Sequence, residues 1–161
     1  NTPYGESPVS TAMGAYFNKK AYTDPALRRK YTRMGFWVNI RLIRYPDVLL
    51  MAAESANEKG LMGEASGYLE QVRAHARGTL TNVLPKVESL DQSVLREAIR
   101  HERRVELGLE PDRFYDLVRW GIAQEVLQAA RKNYQPKNAL LPLPQTEIDK
   151  SNGVLIQNPD Y

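Results

Sequence analysis

The run Arg100-His101-Glu102-Arg103-Arg104-Val105-Glu106-Leu107 holds the two carboxylates best placed for chemistry in this 161-residue chain. Two carboxylates one helical turn apart are the minimal kit for general acid–base catalysis. At about 100° per residue, Leu95, Ala98, Ile99, Glu102, Glu106 and Leu109 share one helical face. A carboxylate on such an apolar face must be paired, protonated or lining a cavity, because an isolated buried charge costs many kcal/mol. Arg113, Asp116, Arg119 and Trp120 follow within a short stretch, and Arg44 stands upstream. Enzymes that use a carboxylate pair usually hold the two groups on separate elements across the substrate, whereas both residues here rise from one helix among arginines. We therefore read Arg44, Glu102, Arg103, Glu106, Arg113, Asp116 and Arg119 as a structural ion-pair network. In that reading Glu102 and Glu106 draw partners from Arg44, Arg113 or Arg119, and the network locks the third helix to the fourth.

Other chemistries are poorly supported. His101-Glu102 begins like a zinc-protease motif, but the second histidine would have to stand at position 105, which is Val. The chain has no cysteine and two histidines, far apart, so thiolate metal sites, disulfides and a cysteine nucleophile are excluded. Neither a glycine-rich phosphate loop nor a Gly-x-Ser-x-Gly elbow occurs. No catalytic residue, cofactor or metal ligand is expected. Arg28-Arg29-Lys30-Tyr31-Thr32-Arg33 is a basic run, yet a net charge of +3 gives the whole chain little attraction for nucleic acid. Tyr16, Tyr22, Tyr31 and Trp37 offer apolar rings able to stack on a sugar face. They are the candidate ligand-binding residues, though loop aromatics more often pack back onto their own domain.

The elements that position these groups are helical. Hydrophobic and charged residues make up 42% and 25% of the chain, an ordinary folded-domain composition rather than a disordered one. No window approaches eighteen consecutive apolar residues, so no membrane-spanning helix is expected. Residues 1–38 hold no sustained period and carry Gly, Pro, Thr and Asn with scattered aromatics. They read as loop and extended chain belonging to a larger part of the protein. The opening Asn1-Thr2-Pro3-Tyr4 has neither an initiator Met nor the basic and apolar regions of a signal peptide.

Residues 39–161 read as a helical region. Pro46 suits a first helical turn, Leu49, Ala52, Ala53 and Ala56 follow at helical spacing, and Gly60 is a natural stop. A second helix is predicted from about Glu64 to Ala76, with Ala65, Leu69, Val72 and Ala76 on one stripe and Gly78 at its end. The two form an antiparallel pair resembling one degenerate tetratricopeptide unit, in which small residues permit close approach. One such unit cannot bury its own flanks and needs neighbours. Ser89 and Gln92 suggest a capping box opening a third helix from about Leu90 to Leu107. A fourth is predicted from Arg113 to about Lys132. Leu140-Leu141-Pro142-Leu143-Pro144 is an apolar extended strip, and Gln145 to Asp149 makes one short turn. The predicted class is all-α: tetratricopeptide-like helix pairs, long loops and an irregular C-terminal tail.

Four segments, in order, carry a family resemblance. Arg41-Leu42-Ile43-Arg44-Tyr45-Pro46-Asp47-Val48-Leu49-Leu50-Met51-Ala52-Ala53-Glu54 resembles the most recognisable segment of the SusD/RagB family. The run from Arg100 to Leu107, followed by Arg113-Phe114-Tyr115-Asp116-Leu117-Val118-Arg119-Trp120-Gly121, resembles its second and third. Leu140 to Asp149 with Gln157-Asn158-Pro159-Asp160-Tyr161 resembles its C-terminus. Glu110-Pro111-Asp112 departs from the Glu-Gly-His type sequence common in the family, which alters one turn. The resemblance implies the C-terminal portion of a non-enzymatic outer-membrane lipoprotein at the cell surface. Such a protein binds a glycan or other nutrient as a lid on a TonB-dependent, SusC-like transporter. The lipid anchor would be on a cysteine in a part of the protein preceding this stretch, and most sugar contacts would lie upstream. The reading that competes with it is a helical-repeat adaptor binding a protein or peptide in a groove.

Overall fold

The computed structural model describes residues 18–28, 39 and 41–161, with backbone alone at 27 and 28. The chain divides into two compact units, Asn1–Leu109 and Glu110–Tyr161. Every element among the described residues is helical.

In the first unit, Asn18 caps a 3-10 turn, Lys19–Ala21, by accepting from the Lys20 N–H. Asp24 does the same for the amide of Ala26 at the single-turn helix α1, Pro25–Arg28. These side-chain caps nucleate short turns inside a stretch whose sequence shows no period. Helix α2, Tyr45–Glu58, starts behind an extended Arg44, with Pro46 in its first turn. It stops at Gly60, whose φ of +77° only glycine adopts without penalty. The Leu61 N–H then reaches back to the Ala56 carbonyl at 2.9 Å and that of Gly60 to Asn57 at 3.0 Å. This left-handed cap turns the chain directly into α3, Met62–Arg77.

Helix α4, Gln92–Glu106, begins two residues later than the sequence pattern indicates. Asp91, not Ser89, is the N-cap, and its Oδ1 accepts from the amides of Ser93 at 2.8 Å and Val94 at 3.0 Å. Ser89 instead receives the Asp91 N–H. A carboxylate accepts two amides at once, which a hydroxyl in competition with it does less well.

Helices α2, α3 and α4 all pack on one another. Their shared core is Leu49, Leu50, Ala53, Ala56, Ala65, Leu69, Val72, Leu95 and Ile99. Ala53 and Ala65 are fully buried, which brings the α2 and α3 backbones close. Cutting Leu50, Leu69 or Leu95 back to Ala would cost about 2–5 kcal/mol each. Two residues assigned to apolar stripes by spacing are exposed: Ala76, near the end of α3, and Leu109, which lies beyond the end of α4 at φ +66°. Helical periodicity stops where the helix does. The long α3–α4 connection is pinned to the helices by polar bonds. The Arg73 and Arg77 guanidiniums donate to the carbonyls of Pro85 and Leu84, and the Ser66 hydroxyl to that of Val87.

In the second unit, the helix predicted from Arg113 to Lys132 is two helices. α5 spans Arg113–Arg119 and α6 spans Ala123–Ala129. The break is a left-handed cap at Gly121, φ +72°, with the Ile122 N–H on the Leu117 carbonyl and the Gly121 N–H on that of Val118, both at 3.0 Å. The turn folds α6 back so that Leu117, Ala123 and Tyr134 form a second small core with Phe114, Val118, Ile122, Val126 and Leu127. The Phe114 and Tyr134 rings meet edge-on at 6.4 Å. A 3-10 turn, Pro136–Ala139, and a short helix α7, Gln145–Lys150, follow within the tail.

Candidate functional site

The buried face of α4 is where the sequence concentrates its charge. Glu102 sits mid-helix with 3% of its side chain exposed, and its Oε2 accepts from Arg73 Nη1 at 2.6 Å. Arg73 also donates to the Pro85 carbonyl through Nη2, so the guanidinium ties α3 to both α4 and the loop. One residue on, Arg103 is buried and donates to Asp47 Oδ1 at 2.8 Å. Asp47 lies in the first turn of α2, where the helix dipole favours negative charge. One turn further, Glu106 Oε1 accepts from Arg44 Nη1 at 2.8 Å.

The end of α4 gathers a second set of donors. Arg44 Nη2 reaches the Glu106 carbonyl at 3.0 Å, and Lys20 Nζ donates to that same oxygen. Asn18 Nδ2 bonds the Leu109 carbonyl at 3.1 Å. The last carbonyls of a helix have no intrahelical donor and carry partial negative charge, so the two cations on the Glu106 carbonyl answer both needs, and the Asn18 amide ties down the chain just past the helix. The same contacts hold the 18–20 segment against α4, and Arg41 adds a bond from its guanidinium to the Lys20 carbonyl at 2.7 Å.

Of the candidate network, Arg44, Glu102, Arg103 and Glu106 are thus brought to one helix, but their geometry departs from the expected lattice in two respects. Glu102 is served by Arg73, which the spacing argument did not consider, and Arg103 by Asp47. The pairs therefore tie α4 to α2 and α3, the helices before it. Both partners carried a signal. Arg73 is four residues beyond Leu69, and Asp47 is three before Leu50, so each projects from a buried stripe. Arg113, Asp116 and Arg119 lie in the second unit, where Asp116 Oδ1 accepts from Arg119 Nε at 2.9 Å. There the Arg113 and Arg119 guanidiniums lie 5.8 and 4.9 Å from the Trp120 ring centre.

Among the stacking candidates, Tyr22 is partly buried behind the 3-10 turn. Tyr16, Tyr31 and Trp37 lie outside the described residues, as does most of the basic run from Arg28 to Arg33. His101 is exposed on α4. No cluster of metal-ligating side chains forms among the described residues. Chemically, the α4 face is a set of closed charge pairs. Glu102 is almost wholly shielded from solvent, and one oxygen of each glutamate accepts from a guanidinium.

Paired antiparallel helices closed by buried ion pairs define an all-α helical-repeat scaffold. The chain belongs to the SusD family, whose sequence model matches residues 1–161. It is 39% identical to SusD-like protein P25 of Formosa agariphila in a 153-residue alignment that covers 91% of this chain and 27% of that protein. It is 35% identical to SusD-like protein P2 of the same organism over 127 residues, 74% of this chain and 25% of that one. In three dimensions it is similar to the crystal structure of a SusD homolog from Bacteroides thetaiotaomicron, with a TM-score of 0.68 and 30% identity. That match covers 83% of this chain and 30% of the solved one. The chain therefore spans about a quarter of the length of the curated relatives it matches.

Proposed function

We propose that this chain is the ion-paired helical scaffold of a non-catalytic nutrient-binding protein, with a glycan as the ligand. The protein acts at the outer-membrane surface, held by a lipid anchor, and passes its ligand to a TonB-dependent transporter of the SusC type. The observation that carries the reading is SusD-family membership along the whole chain. The burial of Glu102 and its pairing with Arg73 support the absence of a covalent step: a general acid or base must reach the substrate, and this carboxylate is held inside the helix packing against a guanidinium. Ligand capture then rests on ring stacking and hydrogen bonding, with Tyr16, Tyr22, Tyr31 and Trp37 the candidates this chain contributes.

The test is calorimetry with a panel of oligosaccharides on a relative-length protein containing this chain. Saturable binding to at least one glycan is expected, without release of reducing ends. Binding to none of them would overturn the glycan reading. Pull-down from detergent-solubilised outer membranes is expected to recover a barrel transporter. Recovery of a soluble protein in its place would favour the helical-repeat adaptor.

A further inference from the structure

No residue after Tyr134 is buried, and neither hydrophobic core includes one. The tail nevertheless has a defined course, and polar bonds account for it. Gln157 uses both ends of its side-chain amide on a single residue. Its Oε1 accepts from the Leu143 N–H at 2.8 Å and its Nε2 donates to the Leu143 carbonyl at 2.9 Å. Asn158 Nδ2 donates to the Leu141 carbonyl at 2.6 Å. The Tyr161 hydroxyl donates toward the carbonyls of Leu140 at 3.0 Å and Lys137 at 3.3 Å, and accepts from Asn138 Nδ2 at 3.2 Å. Lys137 closes the ring, with its ammonium 4.9 Å from the centre of the Tyr161 ring and 2.9 Å from the Asp160 carbonyl oxygen.

We propose that residues 157–161 are a clasp that fixes the conformation of the 137–143 strip by reading its backbone. Gln157, Asn158 and Tyr161 all bind main-chain groups of that strip, and the side chains of Lys137 and Asn138 add contacts at its first turn, so from Leu140 to Leu143 the recognition is of the backbone. The aliphatic side chains are thereby left facing outward: Leu141 is 72% exposed and Ile156 83%, with Leu140, Val154 and Leu155 also exposed. The prolines explain why so few bonds suffice. Pro142 and Pro144 flank Leu143 and Pro159 follows Asn158, which fixes φ at three points and lowers the entropy lost on closure. Between Pro142 and Pro144 only Leu143 has an N–H to offer, and Gln157 takes it. Asp160 holds the final turn at φ +67°, a conformation that aspartate tolerates better than most residues.

Amide exchange on the full 161-residue chain, followed residue by residue by NMR, tests the clasp. The Leu143 amide is expected to be protected in the wild type. It should exchange about tenfold faster in Gln157→Ala, the scale of one lost hydrogen bond, with α2–α4 amides unchanged. Gln157→Glu keeps an acceptor but no donor and should fall between the two. Tyr161→Phe removes one hydroxyl and no packing, so it serves if Gln157→Ala disturbs the unit. It should raise proteolytic cleavage within 140–156 while leaving α2, α3 and α4 intact. A Leu143 amide that exchanges at the rate of an unstructured peptide in the wild type, or equally fast in wild type and Gln157→Ala, would overturn the proposal. So would cleavage rates unchanged by Tyr161→Phe.

Discussion

Arg73 and Glu102 meet at 2.6 Å between α3 and α4, with 12% and 3% of their side chains exposed. Their attraction is strong in so dry a place, yet the desolvation of both ions offsets much of it. The pair is better understood as a constraint on how α3 and α4 register than as a source of net stability. Removing one ion differs from removing both. Glu102→Ala is expected to destabilise the chain by about 3–5 kcal/mol, because it strands the guanidinium. Arg73→Met combined with Glu102→Leu should be close to neutral. Urea unfolding of the two variants beside wild type checks both, and a Glu102→Ala change under about 1 kcal/mol would contradict the buried pairing.

Close approach of α2 and α3 depends on alanines with no spare volume. Ala53→Leu should force the helices apart and cost about 1–3 kcal/mol. Ser55→Ala, on the exposed side of the same helix, should change little. Thermal unfolding of the two variants side by side separates overpacking from any effect on helix propensity.

Gly121 and Arg131 occupy equivalent left-handed positions, at φ +72° and +57°, after α5 and α6. A Cβ on Gly121 would meet nothing within 4 Å, so any penalty is conformational. Gly121→Ala is expected to cost about 1–2 kcal/mol. Arg131→Gly should stabilise by up to about 1 kcal/mol by relieving the same strain. Opposite signs in denaturant midpoints would show that the break between α5 and α6 is set by backbone conformation.

The α4 cap makes stability pH-dependent. The Ser93 hydroxyl, with the amides of Val94 and Ser93, holds the Asp91 carboxyl below its ordinary range. A group whose pKa falls on folding stabilises fully above its unfolded value, near 3.9, and loses that contribution as pH drops through the folded value. Asp91→Ala should therefore unfold more easily than wild type at neutral pH, with the gap narrowing below about pH 4. Asp91→Asn, which still accepts the amides, should show a smaller deficit at neutral pH. Melting curves across that range provide the measurement.

Much of the architecture was legible in the residues. The stripes Leu49–Ala53–Ala56 and Ala65–Leu69–Val72, with glycines at 60 and 78, specify a helix pair because apolar period and stop signals agree. The inward turn of Glu102 was readable for the same reason, since Leu95 and Ile99 fix the face. Gly121 was equally visible, but an apolar pattern running through it masked a stop that the backbone enforces. The Ser89 cap gave way to Asp91, as both residue types are competent caps and the carboxylate takes the two amides of Ser93 and Val94 together.

Local pattern determined that this chain is helical, where its helices face inward and that its charges on α4 need partners. Which partner each charge takes was decided only in three dimensions. Arg73 lies 29 residues from Glu102 and Asp47 lies 56 from Arg103, and no periodicity spans such separations. Helical spacing reports the direction in which a side chain leaves its own axis, whereas a salt bridge also depends on where a second axis passes. That position is set by the mutual packing of α2, α3 and α4.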